Sequence, residues 1–205
     1  MKARVPSILR HAGVLAALLS AAAAMAFGAR VQGYSHAQLP LALLGAAPLP
    51  GAFAFNVLAF VLPGLLVATV AIRLRSAIDA AGDPAPRWST RIGAQSMLLA
   101  SLAFAAQGLW PLDASDLDGG GSSRHAAAWM AWLLASTLGA ALLGTRLRPR
   151  RGFATASVCV AIALPLLAFV LPALVPAGIT QRLAFAAWFA WAIGAGAFAA
   201  NARQP

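Results

Sequence analysis

Apolar residues in this chain come in runs of about 18–20, and most runs are closed by arginine. The runs cover 12–29, 53–72, 92–110, 126–145, 153–171 and 183–200. Roughly 20 helical residues cross the ~30 Å hydrocarbon core of a bilayer. A segment that crosses it must satisfy its own backbone hydrogen bonds, which an isolated helix does. The spacing therefore predicts an all-α, polytopic bundle of six transmembrane helices, one integral membrane domain over residues 1–205. Composition agrees: 61% of residues are hydrophobic and 10% charged, where a soluble domain carries roughly 25% charged residues.

The basic residues fix the edges and the orientation. Each would cost about 2.5–3.5 kcal/mol at mid-membrane. If the amino terminus is cytoplasmic, one side holds Lys2, Arg4, Arg10, Arg73, Arg75, Arg87, Arg91, Arg146, Arg148, Arg150, Arg151 and Arg203. The other holds only Arg30, Arg124 and Arg182. Twelve against three places both termini inside. The first run, behind Lys2, Arg4 and Arg10, also resembles a secretory signal, but its apolar length favours a retained span. Alanine and arginine dominate and glutamate is absent, a bias that fits a GC-rich genome and points to a bacterial inner membrane, multi-pass.

Between the first two spans, Leu41–Ala47 is apolar but bounded by Pro40, Pro48 and Pro50 and too short to cross. It is expected at the interface or dipping in against protein. Small residues at a spacing of four (Ala16, Ser20, Ala24, Gly28; Ala127, Ala131, Ala135, Gly139; Ala192, Gly196, Ala200) predict close helix packing. Trp110, Trp129, Trp132, Trp188 and Trp191 lie toward span ends, as an interfacial aromatic belt would. Phe60-Val-Leu-Pro63 recurs as Phe169-Val-Leu-Pro172, the kind of match an inverted three-plus-three repeat would leave.

Several classes are excluded. The net charge of +10 caps apolar runs instead of forming a basic face, so nucleic acid is not a partner. The single Cys159 is read as an apolar packer. No CxxC, HExxH, P-loop or GxSxG occurs, and no cofactor or metal is called for.

The chemistry-bearing residues gather on the outer side. The stretch Gln107–His125 holds three of the five acidic residues, Asp113, Asp116 and Asp118. Asn56, Gln107 and Trp110 flank it, and Tyr34 and His36 enter from the first loop. An Asp113–His125 pair could orient an imidazole as a general base, and His36 could complete a divalent-metal set. Structurally, Asp113 could equally cap a turn and His125 sit as a satisfied interfacial residue. Haem ligation by His36 and His125 is disfavoured, since neither lies inside a span. Asp116 to Ser123, with three glycines, read as slack.

The order Tyr34-Ser35-His36, Leu44-Gly45-Ala46, Asn56, Pro63-Gly64-Leu65, then Gln107-Gly108-Leu-Trp-Pro111-Leu-Asp113 and His125 resembles the bacterial domain-of-unknown-function family 998. The resemblance runs over about Ala12 to Ala200 and implies six spans and a special outer loop, with no substrate. A looser similarity links the chain to the Frag1/DRAM/Sfk1-type six-span proteins, tied to lipid and membrane organisation.

The preferred expectation is a non-enzymatic protein that binds a lipid or amphiphile in an outward-facing polar pocket, or an accessory membrane subunit. Its ligand-binding residues would be Tyr34, His36, Asn56, Gln107, Trp110, Asp113 and His125. Membrane lipids are the expected partners, with a membrane protein or a second copy of the chain left open. The alternatives are a membrane-embedded hydrolase using His125, Asp113 and His36, and a small transporter built on helices broken at Pro63 and Pro165.

Overall fold

The computed structural model describes residues 11–80, 87–116, 118–146 and 151–201. Lys2, Arg4, Arg10, Arg148, Arg150 and Arg203, on which part of the topology reading rests, lie outside them. Among the described residues the chain is all-helical. The helices are α1 (Ala12–Gly28), α2 (Ala52–Ala80), α3 (Arg87–Leu109), α4 (Gly120–Arg146), α5 (Arg151–Pro165, extended by turns to Ala173) and α6 (Ala177–Asn201). Five of them, α2 to α6, are long and apolar enough to cross a membrane, and α1 is a shorter apolar helix. Large apolar side chains stay exposed all around the bundle, among them Leu18, Phe53, Leu65, Ile72, Leu99, Leu134, Ile162 and Phe169. Apolar patches on that scale do not persist in water.

Consecutive helices pack in a ring, α1 against α2 and so on to α6, which closes back on α1 and also touches α2. Apolar burial gives no net drive between helices in lipid, so close contact must hold them. Glycines stand at several of these contacts. Gly64 of α2 faces Ser101 and Ala105 of α3, and Gly108 of α3 faces Asn56 and Phe60 of α2. Gly93 and Gly139 join α3 to α4, Gly144 meets Ala154 and Val158 of α5, and Gly13 of α1 meets the Ala192 backbone of α6. The stripes on α1 and α6 turn inward at Ala16, Ser20, Gly28, Ala192 and Gly196. That on α4 does so only at Ala135 and Gly139. Ala127 and Ala131 are exposed, because Ser122, His125, Ala128 and Trp132 form the buried face there.

The centre is aromatic. Phe60, Phe104, Trp132, Phe185, Trp188 and Phe189 interlock, with Phe104 stacked on Trp188 at 4.9 Å and Trp132 edge-on to Phe185 at 5.0 Å. Such pairs contribute about 0.5–1.5 kcal/mol each beyond area. This corrects the belt expectation. Trp132, Trp188 and Trp191 are at most 2% exposed, while Trp110, together with Trp88, stays exposed as a belt requires. Indoles are large enough to fill the space that alanine-rich helices leave.

α2 and α5 each carry one widened, π-helical turn, at Val57–Val61 and Leu166–Val170. The identity around them is longer than four residues: Leu58 to Pro63 and Leu167 to Pro172 are both Leu-Ala-Phe-Val-Leu-Pro. Proline lacks the N–H that an α turn needs and its ring crowds the preceding turn, so a wider turn relieves it. The two copies come out at the same end of the bundle, Phe60 beside His125 and Phe169 beside Trp129. One lies early in its helix and the other late, whereas an inverted repeat would keep the position. Both helices remain continuous through the wide turn.

Candidate functional site

The loop between α1 and α2, the α3–α4 loop and the α5–α6 turn meet at one end of the bundle. The opposite end carries Arg75 and Arg91, both paired to Asp79 at 3.4 Å and 2.7 Å. Every residue proposed for a site lies at the loop end, but the structure sorts them into three separate groups.

The first group centres on His125. Its Nδ1 lies 3.1 Å from the Gln107 carbonyl oxygen and 3.0 Å from that of Trp110. Carbonyls only accept, so Nδ1 carries the proton and donates to both. These are last-turn carbonyls of α3, which no intrahelical N–H reaches. His125 thus caps α3 from the next helix, a structural role that already occupies the nitrogen a general base would use for orientation. Its other face meets the Phe60 ring edge-on. The Gln107 side chain is buried, and its Nε2 has no hydrogen-bond partner among the described residues. Asn56 is a staple: its Nδ2 donates to the Gly45 carbonyl at 2.8 Å, and no Cβ would fit at Gly45. That bond seats the 3-10 turn Leu41–Gly45, whose Leu41, Ala42 and Leu44 are buried against the bundle.

The second group is the α3–α4 loop. The Asp113 carboxylate accepts from the Ser115 hydroxyl at 2.6 Å and the Ser115 amide at 2.9 Å. The Ser115 hydroxyl, then its amide, hold the Asp113 pKa below the usual carboxylate value. The Ala47 amide donates to the Leu112 carbonyl at 3.1 Å, tying this loop to the first. Among the described residues no hydrogen bond joins Asp113 to His125, and no three His, Cys, Asp or Glu side chains gather as metal ligands. The stretch read as slack is partly ordered: α4 starts at Gly120, and buried Ser122 accepts from the Asp113 amide and donates toward the Asp113 and Asp116 carbonyls. Asp116 and Asp118 themselves are exposed.

The third group was only half visible in the sequence. Tyr34 and His36 converge on Arg182 of α6. The guanidinium donates through Nη2 to the Tyr34 hydroxyl at 2.6 Å and to His36 Nδ1 at 3.3 Å. Through Nη1 it donates to the Leu39 and Gly178 carbonyls at 3.0 Å and 2.8 Å. Beside it Gln181 Oε1 accepts from the Leu41 amide at 2.7 Å. Burial raises the Tyr34 pKa, against the charge of Arg182, so the phenol stays neutral. Because a guanidinium only donates, His36 Nδ1 is its lone-pair nitrogen and the imidazole proton sits on Nε2. The ring packs against Gly28, where a Cβ would overlap it.

Below this cluster lies a groove of about 450 Å³ between α1 and α6. Gly13 and Ala192 hold the helices backbone to backbone at one end. Toward the loop end Arg182, His36 and Leu41 line the space between them. The floor is Ser20, Phe185 and Phe189, and the lips are Ala21, Met25, Ala186, Ala190 and Ile193, exposed toward the lipid side. Four aspartates are described. Asp79 pairs at the other end, and none of the four forms an ion pair with Arg182. Arg182 could have been singled out: it is one of three arginines on the side that positive charge avoids. Arg30 and Arg124 are exposed there; Arg182 is half-buried. No protein-family model, curated protein or solved structure matches the chain.

Proposed function

We propose that this multi-pass membrane protein binds a lipid or other amphiphile, without catalysis, in the groove between α1 and α6, with its polar head at Tyr34, His36 and Arg182. The single observation that carries the reading is an apolar, lipid-facing groove headed by a half-buried arginine that none of the described carboxylates pairs. An ionisable residue in a membrane-spanning helix whose charge no described carboxylate neutralises is a functional-site hypothesis by default. Asn56, Gln107, Trp110, Asp113 and His125 then serve as scaffold: they fix the loops that hold Tyr34 and His36 in place.

The same proposal includes six spans, both termini cytoplasmic, in a bacterial inner membrane, and kinship with family 998. α1 has 17 residues, about 25 Å of helix, a mismatch that local bilayer thinning absorbs. What supports six is its packing between α2 and α6. What supports the orientation is the excess of lysine and arginine away from the loop end. A membrane-protein partner or a second copy of the chain remains compatible with the exposed faces.

The test is a fatty acyl probe bearing a photoreactive diazirine, presented in bilayers and mapped by peptide mass spectrometry. Labelling should concentrate on the lips, at Met25, Ala186 and Ala190. Equal labelling of Leu134 and Ile162, on other lipid-facing sides, would sink the reading.

A further inference from the structure

We infer that the ligand of this groove is an anionic glycerophospholipid, with its phosphate at Arg182 and one acyl chain lying between α1 and α6. The inference rests on the amphiphile-binding reading and adds the chemistry of the head and the number of chains held. Its first support is charge. Tyr34 is a neutral phenol, and His36 meets the guanidinium through a lone pair. The Leu39 and Gly178 carbonyls contribute only dipoles. The cluster therefore keeps one whole positive charge, and of the guanidinium's five N–H bonds the Nε–H is the one these four partners leave unused. The phosphate of an anionic lipid supplies the missing negative charge with no headgroup ammonium to neutralise it, as one does in a zwitterionic lipid, and charge-assisted hydrogen bonds to it are about twice as strong as neutral ones.

The second support is length. Arg182 and Ile193, at the two ends of the groove, are eleven residues apart on α6, about 16 Å along the axis. That is half the roughly 30 Å hydrocarbon thickness, the depth of one leaflet. A free phosphate would leave this apolar length unused, while an acyl chain fills it. The third support is access. Ala21, Met25, Ala186 and Ala190 are exposed along the lips, so a second chain attached to the same glycerol can stay in the bilayer.

Purified full-length protein in detergent, offered equimolar phosphatidylglycerol and phosphatidylethanolamine with matched chains, tests this by native mass spectrometry. The wild type should retain phosphatidylglycerol in about tenfold preference, the scale of a hydrogen bond to a charged group. Arg182→Gln should bring the two lipids to near parity, and Arg182→Lys should keep most of the preference. Ala190→Phe, which fills the groove from its exposed lip and leaves the head cluster untouched, should lower both adducts. Equal retention by the wild type, unchanged in Arg182→Gln, overturns the anionic assignment and leaves amphiphile binding standing. Loss of preference in both Arg182 variants assigns the effect to the loop scaffold and overturns it too. If neither lipid is retained above the Ala190→Phe level, both readings fall together.

Discussion

Replacing Gly64 by alanine tests whether backbone contact holds this bundle. A Cβ there would lie 2.7 Å from both the Ala105 nitrogen and the Ser101 carbonyl oxygen, and 2.8 Å from the Ala105 Cβ. The first two are backbone atoms inside a helix, with no rotamer to change. Reaching ordinary contact near 3.4 Å needs an opening of about 0.7 Å between α2 and α3. A gap of 0.5–1 Å forfeits roughly a quarter to a half of each dispersion contact along the seam, and forced overpacking costs about 1–3 kcal/mol. The same substitution also gains up to about 1 kcal/mol of helix propensity. Gly194→Ala isolates that gain, since nothing lies within 4 Å of a Cβ at Gly194. Gly64→Ala should therefore be about 2 kcal/mol less stable than Gly194→Ala, both measured by unfolding in mixed micelles titrated with dodecyl sulfate and followed by helical circular dichroism. Two variants within about 0.5 kcal/mol of each other would refute close backbone packing as the source of stability.

Other outcomes follow from single contacts. His125→Ala strips the donor from the Gln107 and Trp110 carbonyls and should cost about 1–3 kcal/mol in the same assay; an unchanged midpoint would remove the capping role. Asn56→Leu leaves the Gly45 carbonyl unpaired, at about 1–2 kcal/mol, and Asn56→Asp should cost more, because a carboxylate oxygen would then face that carbonyl. The folded pKa of Asp113 lies below the ordinary 3.8. Its contribution is therefore fully present above that value and is lost as pH falls through the lower folded one. Ser115→Ala should move the Asp113 titration up toward 3.8, read by carbon-13 NMR of the labelled carboxyl; an unmoved midpoint would show that Ser115 does not set it.

The helices were legible because run length and arginine placement report directly on the bilayer. The structural helices nonetheless outrun the apolar runs: α2 continues past Arg73 to Ala80, where Arg75 reaches Asp79 and Gln95, and α4 begins six residues before Ala126. Polar residues at a membrane edge remain helical when their side chains find partners, and hydropathy does not see partners. The site was legible only in part for a related reason. Asp113 and His125 stand close in sequence and chemically suit one another, yet each is satisfied by the nearest backbone or hydroxyl. Arg182, 146 residues from His36, is brought to it by the closing of the helix ring, a tertiary event that spacing does not encode. Tyr34 and His36 showed in the sequence as outer-loop polar residues, while their partner was hidden among the topological charges.

The wide turn at Val57–Val61 also has a meaning for the history of the chain. Such a turn holds about one residue more than an α turn, so the segment before it is rotated by roughly one residue, about 100°, from where an unbroken helix would set it. Phe55 and Asn56, 0% and 5% exposed, keep their inward direction because the wide turn absorbs that extra residue. An unbroken α turn of the same length would swing both toward lipid and unseat the Leu41–Gly45 turn from below, whereas deleting one of the five would restore plain α geometry and leave both facing inward. The wide turn thus lets this short piece of α2 carry one residue more without moving the side chains that hold the first loop.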